Sequence, residues 1–340
     1  MSSAALEITT SIGSMQETLQ RRLNRLNDAR LRPRTEAALS FDEEMALREV
    51  EINFLEAERA RIAAQASTAP EEAAQFLAWY EALRETGPGQ SDPLFPWLAQ
   101  EATLEQVVWF LAQEVAGEAG FDDLVALTQI KMPVRPKLEM AANYWDEMGR
   151  GHQSGMHGPM LDRLAAALRV RDAGYPIVWE SAALGNLLIG LAANRRYAYQ
   201  SIGALGVVEL TAPGRATCVD QALKRLGVAA KPRQYYALHA TLDVRHSEAW
   251  NREVLEPLVT ENPRLTRPIA EGALMRLNAG ARCFERYRRE LGLTESISSS
   301  SANTSPEPAQ TGASVPHHRG CGSGPPSTDD LQHERTNRRG

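Results

Sequence analysis

Cysteine is nearly absent: three residues in 340, Cys218, Cys283 and Cys321, odd in number and far apart. That excludes a disulfide framework and a cysteine-based zinc site, and it points to a reducing, cytoplasmic setting. Positive charge is not in excess either. Lys+Arg number 37 against Asp+Glu 43, a net charge of −6, so there is no basic field to gather phosphates and nucleic acid is not an expected partner. No long hydrophobic run exists. The longest apolar stretch, Ser181 to Asn194, is broken by Gly185 and Asn186 and falls short of the roughly 20 residues a bilayer requires. The first twenty residues lack a cationic region followed by an apolar one, and Glu7 and Glu17 argue against a transit peptide. Strand patterning is scarce too, since no window keeps a two-residue alternation.

What is present is an apolar share of 43%, enough for a sizeable core, arranged at three- and four-residue spacing. The pattern predicts helices over 14–31, 40–65, 70–85, 103–117, 121–130, 137–148, 159–169, 180–209, 217–226, 232–258 and 267–291. Ser40 with Glu43 and Thr103 with Gln106 read as helix starts, and Gly87-Pro88-Gly89 as a break. The fold class is all-α, a helical bundle. Residues 1–90 read as an N-terminal helical extension, charge-rich with an apolar stripe at Met45, Val50, Phe54 and Leu55, and 91–293 as the main domain. Residues 294–340 change character, with five prolines and only Ile297, Val315 and Leu331 as large aliphatics, and read as a disordered tail.

Of seven histidines, His317, His318 and His333 lie in that tail, and His152 reads as a loop residue. His239, Asp243 and His246 fall within about 60° of one another on one helix face and can project into a common interior. The two histidines stand about 10.5 Å apart along the axis, too far to share one ion comfortably but suited to two ions flanking Asp243. The competing reading of the triplet is a solvated face. Glu147 and His157 would be about 15 Å apart on a straight helix; they converge only if the chain breaks, which Gly149, Gly151, Gly155 and Gly158 permit. Two further carboxylates, Glu209 and Glu114, sit in apolar surroundings where an unpaired charge is costly. Glu118, one turn beyond Glu114, competes with it. Tyr144, Trp145, Tyr197 and Tyr235 are candidates for lining a pocket, against the commoner fate of core packing.

These residues together resemble the heme-oxygenase-like diiron oxidases, also described as iron-containing redox enzymes. The resemblance covers roughly 95–291. It matches family ligand positions to Glu114, then Glu147 and His157, then Glu209, then His239, Asp243 and His246, in a heme-oxygenase-like helical bundle. The ten-residue Glu147/His157 spacing is similar to the family's N-oxygenase branch. The resemblance implies two Fe(II) ions, dioxygen as co-substrate, an external electron donor and oxidation of a small-molecule substrate, an amine in a biosynthetic pathway. Three histidines with four carboxylates suit iron or manganese rather than a thiophilic metal. Other chemistry on the same scaffold, fatty-acid desaturation or decarboxylation or amino-acid C–C cleavage, is the alternative, and a non-catalytic helical ligand- or partner-binding protein is a further one. The family and the amphipathic N-terminal region point to a homodimer.

Overall fold

A computed structural model describes residues 3–293. The tail expected over 294–340, with its three histidines and Cys321, lies outside the described residues. Among those residues the structure is all-α, the one β-type pairing being an isolated bridge between Met148 and Met156. The helices are α1 (Ser3–Leu31), α2 (Phe41–Arg61), α3 (Ala63–Ala66), α4 (Ala73–Thr86), α5 (Leu94–Gln100), α6 (Leu104–Gly117), α7 (Phe121–Thr128), α8 (Val134–Glu147), α9 (His157–Ala167), α10 (Trp179–Ala193), α11 (Ala198–Arg225), α12 (Ala230–Ala249), α13 (Glu256–Glu261) and α14 (Thr266–Glu290). No helix among the described residues is long and apolar enough to cross a membrane.

Both predicted starts carry full capping boxes. Ser40 and Glu43 satisfy each other's backbone N–H at the head of α2, and Thr103 and Gln106 do the same for α6. Helix α10 and the first half of α11, to Thr211, are buried on nearly every face, as an apolar composition all round requires. They form the centre, with α14 against both and α12 along α11. The α11/α14 crossing is close enough to demand glycine: a Cβ on Gly203 would stand 1.9 Å from the Ile269 carbonyl oxygen, and one on Gly272 1.7 Å from that of Gln200.

The expected helix over 180–209 is two helices. The chain leaves α10 at Asn194, whose backbone is extended and whose side chain accepts from the Arg196 N–H, so a 3₁₀ turn intervenes before α11. Helix α11 then runs through Pro213 to Arg225 and absorbs the separate helix expected over 217–226. Helix α5 was not expected, and α12 passes into a π-helical turn over Trp250–Leu255.

Helices α1 and α2 dock through buried polar pairs. Arg30 Nη2 donates to Glu51 Oε1 at 2.6 Å, Asn27 Nδ2 to Asn186 Oδ1 of α10 at 2.7 Å, and Arg282 of α14 to Glu58 of α2 at 2.6 Å.

Candidate metal centre

Four helices converge on one buried cluster. Helix α8 ends at Glu147 and α9 begins at His157, so the two residues sit at facing helix ends. The connection folds back tightly: Gly149 has φ +62°, and a Cβ there would lie 2.3 Å from the Gly155 carbonyl carbon. Only glycine fits that close approach. The result brings His157 Nδ1 to 2.7 Å from Glu147 Oε2. His239, on α12, places its ring centroid 4.6 Å from that of His157. Glu147, His157 and His239 thus offer ligand atoms within 4.8 Å of one another.

A second such group is Glu147, Glu209 of α11 and His246 of α12. His246 Nδ1 stands 3.5 Å from Glu209 Oε2. The two histidines of α12 therefore serve separate groups, one on each side of Asp243, and Glu147 is common to both. Asp243 belongs to neither group by that distance. It is buried between them, its Oδ1 without a hydrogen-bond partner, and its carboxyl is raised by burial and by the charges of Glu209 and Glu147.

Neighbouring residues hold the donors in place. His239 Nδ1 lies 2.7 Å from the Tyr235 carbonyl oxygen. A carbonyl can only accept, so the ring hydrogen is on Nδ1 and the lone pair is left on Nε2. His246 Nε2 meets Asp146 Oδ2 at 3.2 Å, which leaves Nδ1 toward Glu209. Asn143 Nδ2 donates to Glu209 Oε1 at 2.7 Å. Sequence reading passed over Asp146, Asn143 and this use of the Tyr235 backbone; the i, i+3, i+4 relation of Asn143, Asp146 and Glu147 was the available signal.

Protonation follows the crowding. Burial, then Glu209, pushes Glu147 up to about 8. Burial, then His246, lowers His157 to about 4, and His239 is lowered by burial and by His157. His246 goes the other way: burial opposes its charge, but the contacts with Glu209 and Asp146 outweigh it and raise it to about 9.

The first-helix carboxylates separate. Glu114 is in neither group; its carboxyl, raised by burial, feels Arg215 and Arg276. Glu118, likewise in neither group, accepts from Tyr235 Oη at 3.2 Å and is pushed up to about 8 by burial and then by Glu147. His152 is exposed in the loop. Of the four aromatics, Tyr235 lines the cavity beside the cluster. Tyr197 is core, donating to Glu56; Tyr144 packs against the core, and Trp145 is 54% exposed beside Gly151.

An all-helical bundle with histidines and carboxylates gathered at its centre is the architecture of a helical metal-binding protein. The family follows from comparison: a family model described as iron-containing redox enzyme matches residues 108–281, a little over half of the chain and the span from α6 to α14 that holds every residue of both groups. The chain belongs to that family and has its heme-oxygenase-like fold. No curated protein matches the chain.

Proposed function

We propose that this iron-containing redox enzyme is a non-heme diiron oxygenase, with Glu147, His157, Glu209, His239, Asp243 and His246 holding two Fe(II) ions. The observation that carries the reading is the sharing of Glu147 by two groups of nitrogen and oxygen donors. The donor set fits iron, having no thiolate and a mixture of imidazole and carboxylate. Burial supports it too: His157 Nδ1, His246 Nδ1 and Asp243 Oδ1 are buried without hydrogen-bond partners, although carboxylate oxygens lie 2.7 and 3.5 Å from the two nitrogens. Buried polar atoms this close yet unbonded are suited to a cation between them. We take Glu118 rather than Glu114 as the carboxylate contributed from the end of α6, because its charge couples to Glu147.

When bound, ferrous iron supplies the electrons and open coordination positions that activate dioxygen. The chain's own residues do the rest. Tyr235 and Asp146 fix the tautomers of His239 and His246, Asn143 fixes Glu209, and Leu161, Leu184 and Leu188 exclude water from the adjoining cavity. The substrate reading is N-oxygenation of a small amine in a biosynthetic pathway. The cavity beside the cluster has mostly apolar walls with Glu114, Glu118, Arg215 and Arg276 set into them, and its two carboxyls are the groups that would meet an amine. An external electron donor, a homodimer and a cytoplasmic setting belong to the same proposal.

The test is anaerobic reconstitution with ferrous ion, followed by oxygen-uptake measurements with a panel of small amines. Two irons per chain, with uptake that an amine stimulates and labelled oxygen in the product, is expected. Fewer than two irons, or no uptake, overturns the reading.

A further inference from the structure

The cavity next to the cluster has one feature that metal binding does not use. Two guanidinium groups, Arg215 of α11 and Arg276 of α14, stand in its wall. Arg276 is 9% exposed, in a helix segment whose other residues from Ile269 to Leu277 are apolar, apart from Glu271. Its Nε is buried without a hydrogen-bond partner. Among the described residues neither guanidinium has a carboxylate within 4.0 Å, and the side-chain hydrogen bond that either makes is that of Arg215 Nη2 to Thr211 Oγ1 at 3.0 Å. The Arg215 guanidinium otherwise lies 5.6 Å over the Phe284 ring.

A buried charge normally requires a partner of opposite sign. Here Glu114 is the acid felt by both arginines, with Asp243 also felt by Arg215 and Glu118 by Arg276; none is in contact with either guanidinium, and burial raises the Glu114 carboxyl and so favours its neutral form. Burial presses on both cations, and repulsion from Arg276 adds to it on Arg215, which is lowered to about 9. The arrangement therefore has one or two uncompensated positive charges facing a cavity. The same cavity is lined on another side by Glu147, His239 and Asp243, with Phe110, Leu161 and Leu188 among its apolar walls.

We propose that Arg215 and Arg276 bind the carboxylate of the substrate, which is then a small molecule with an acid group at one end and its oxidisable end toward Glu147, His239 and Asp243. A planar carboxylate matches the fork of a guanidinium, and the bond is charge-assisted. Combined with the amine reading above, on which the orientation of the reacting end rests, the substrate class is an amino acid or a related aminocarboxylate. The anion site itself is independent of iron.

The experiment uses hexanoate and its neutral analogue hexanamide as probes, titrated calorimetrically into the full chain without metal, so that no carboxylate can bind iron. Hexanoate binding at least about tenfold tighter than hexanamide is expected, as is a loss of about tenfold or more in hexanoate affinity, with hexanamide unchanged, in Arg276→Met. Arg276→Lys, which keeps the charge but not the fork, is expected to fall between. Equal affinity for the two probes in the unaltered protein, or unchanged hexanoate affinity in a folded Arg276 variant, overturns the proposal. The probe comparison needs no variant and decides the matter even where Arg276→Met fails to fold. Iron counts on the same variants read the metal proposal separately: full loading with lost hexanoate binding separates the two sites.

Discussion

Buried charge is treated in opposite ways in two regions of this bundle. Where α1 and α2 meet α10 and α14, each buried carboxylate has an arginine in contact: Glu51 with Arg30, Glu58 with Arg282, Glu271 with Arg59 and Arg267. At the centre, Glu147, Glu209 and Asp243 are as deeply buried, yet their neighbours are histidines, an asparagine and one another. The first pattern closes its electrostatics within the protein and is structural. The second gathers like charges that burial alone opposes, which is the arrangement a bound cation relieves.

Removing single members of each region should break the contrast in different ways. The largest effect is expected from His239→Ala or Asp243→Ala: iron loading is lost while helicity by circular dichroism stays near that of the parent chain. Wholesale unfolding would instead make these residues packing elements. Next is Arg30→Ala, which strands Glu51 in the interior and should lower stability by about 3 kcal/mol or more without changing the iron bound per folded chain. Denaturant unfolding with parallel iron analysis checks both halves. A smaller effect separates the first-helix carboxylates. Glu118→Gln should weaken iron binding by about tenfold, and Glu114→Gln should leave it unchanged; equal effects would place both at the centre.

The last test is a pH dependence of the metal-free chain. Glu118 and Glu147 are raised from 4.5 to about 8, and His246 from 6.5 to about 9. A raised folded value means that the native state holds its proton more tightly than the unfolded chain. The stability from the two carboxyls is therefore lost as pH rises from 4.5 to 8, and that from His246 as it rises from 6.5 to 9. His157, lowered from 6.5 to about 4, acts oppositely and only below 6.5. Between pH 6.5 and 8 Glu118, Glu147 and His246 act together with Asp243, raised from 3.8 to about 10, so the melting temperature without metal should fall across that interval. Iron affinity should rise over the same interval, because the ligands must shed protons to bind. A melting temperature that is flat or rising would contradict the assignment.

Much of this was legible in the sequence because it is local. The 3.6-residue period gave the helices, Ser40 and Thr103 gave two starts, and three glycines between Glu147 and His157, with Gly158 just beyond, announced the turn that joins them. The spacing of His239 and His246 already suited two ions better than one. The α10/α11 break was not legible: it depends on one extended residue, Asn194, at the end of an apolar run, while α11 passes through Pro213 and joins the segments expected over 180–209 and 217–226. Nor could a sequence alone bring Arg215 to Arg276, 61 positions apart, or choose between Glu114 and Glu118, one turn apart on the same helix. Those are matters of how α6, α11 and α14 rotate about their axes, which packing decides. The unpaired Arg276 inside an apolar helix segment was a visible anomaly and the one available hint.

The central claim is that Glu147 serves two metal ions at once. Anomalous scattering at the iron edge, from crystals grown and soaked with ferrous ion under anaerobic conditions, tests it most directly. Two peaks are predicted, one among Glu147, His157 and His239 and the other among Glu147, Glu209 and His246. A single peak, or iron bound away from Glu147, would contradict it.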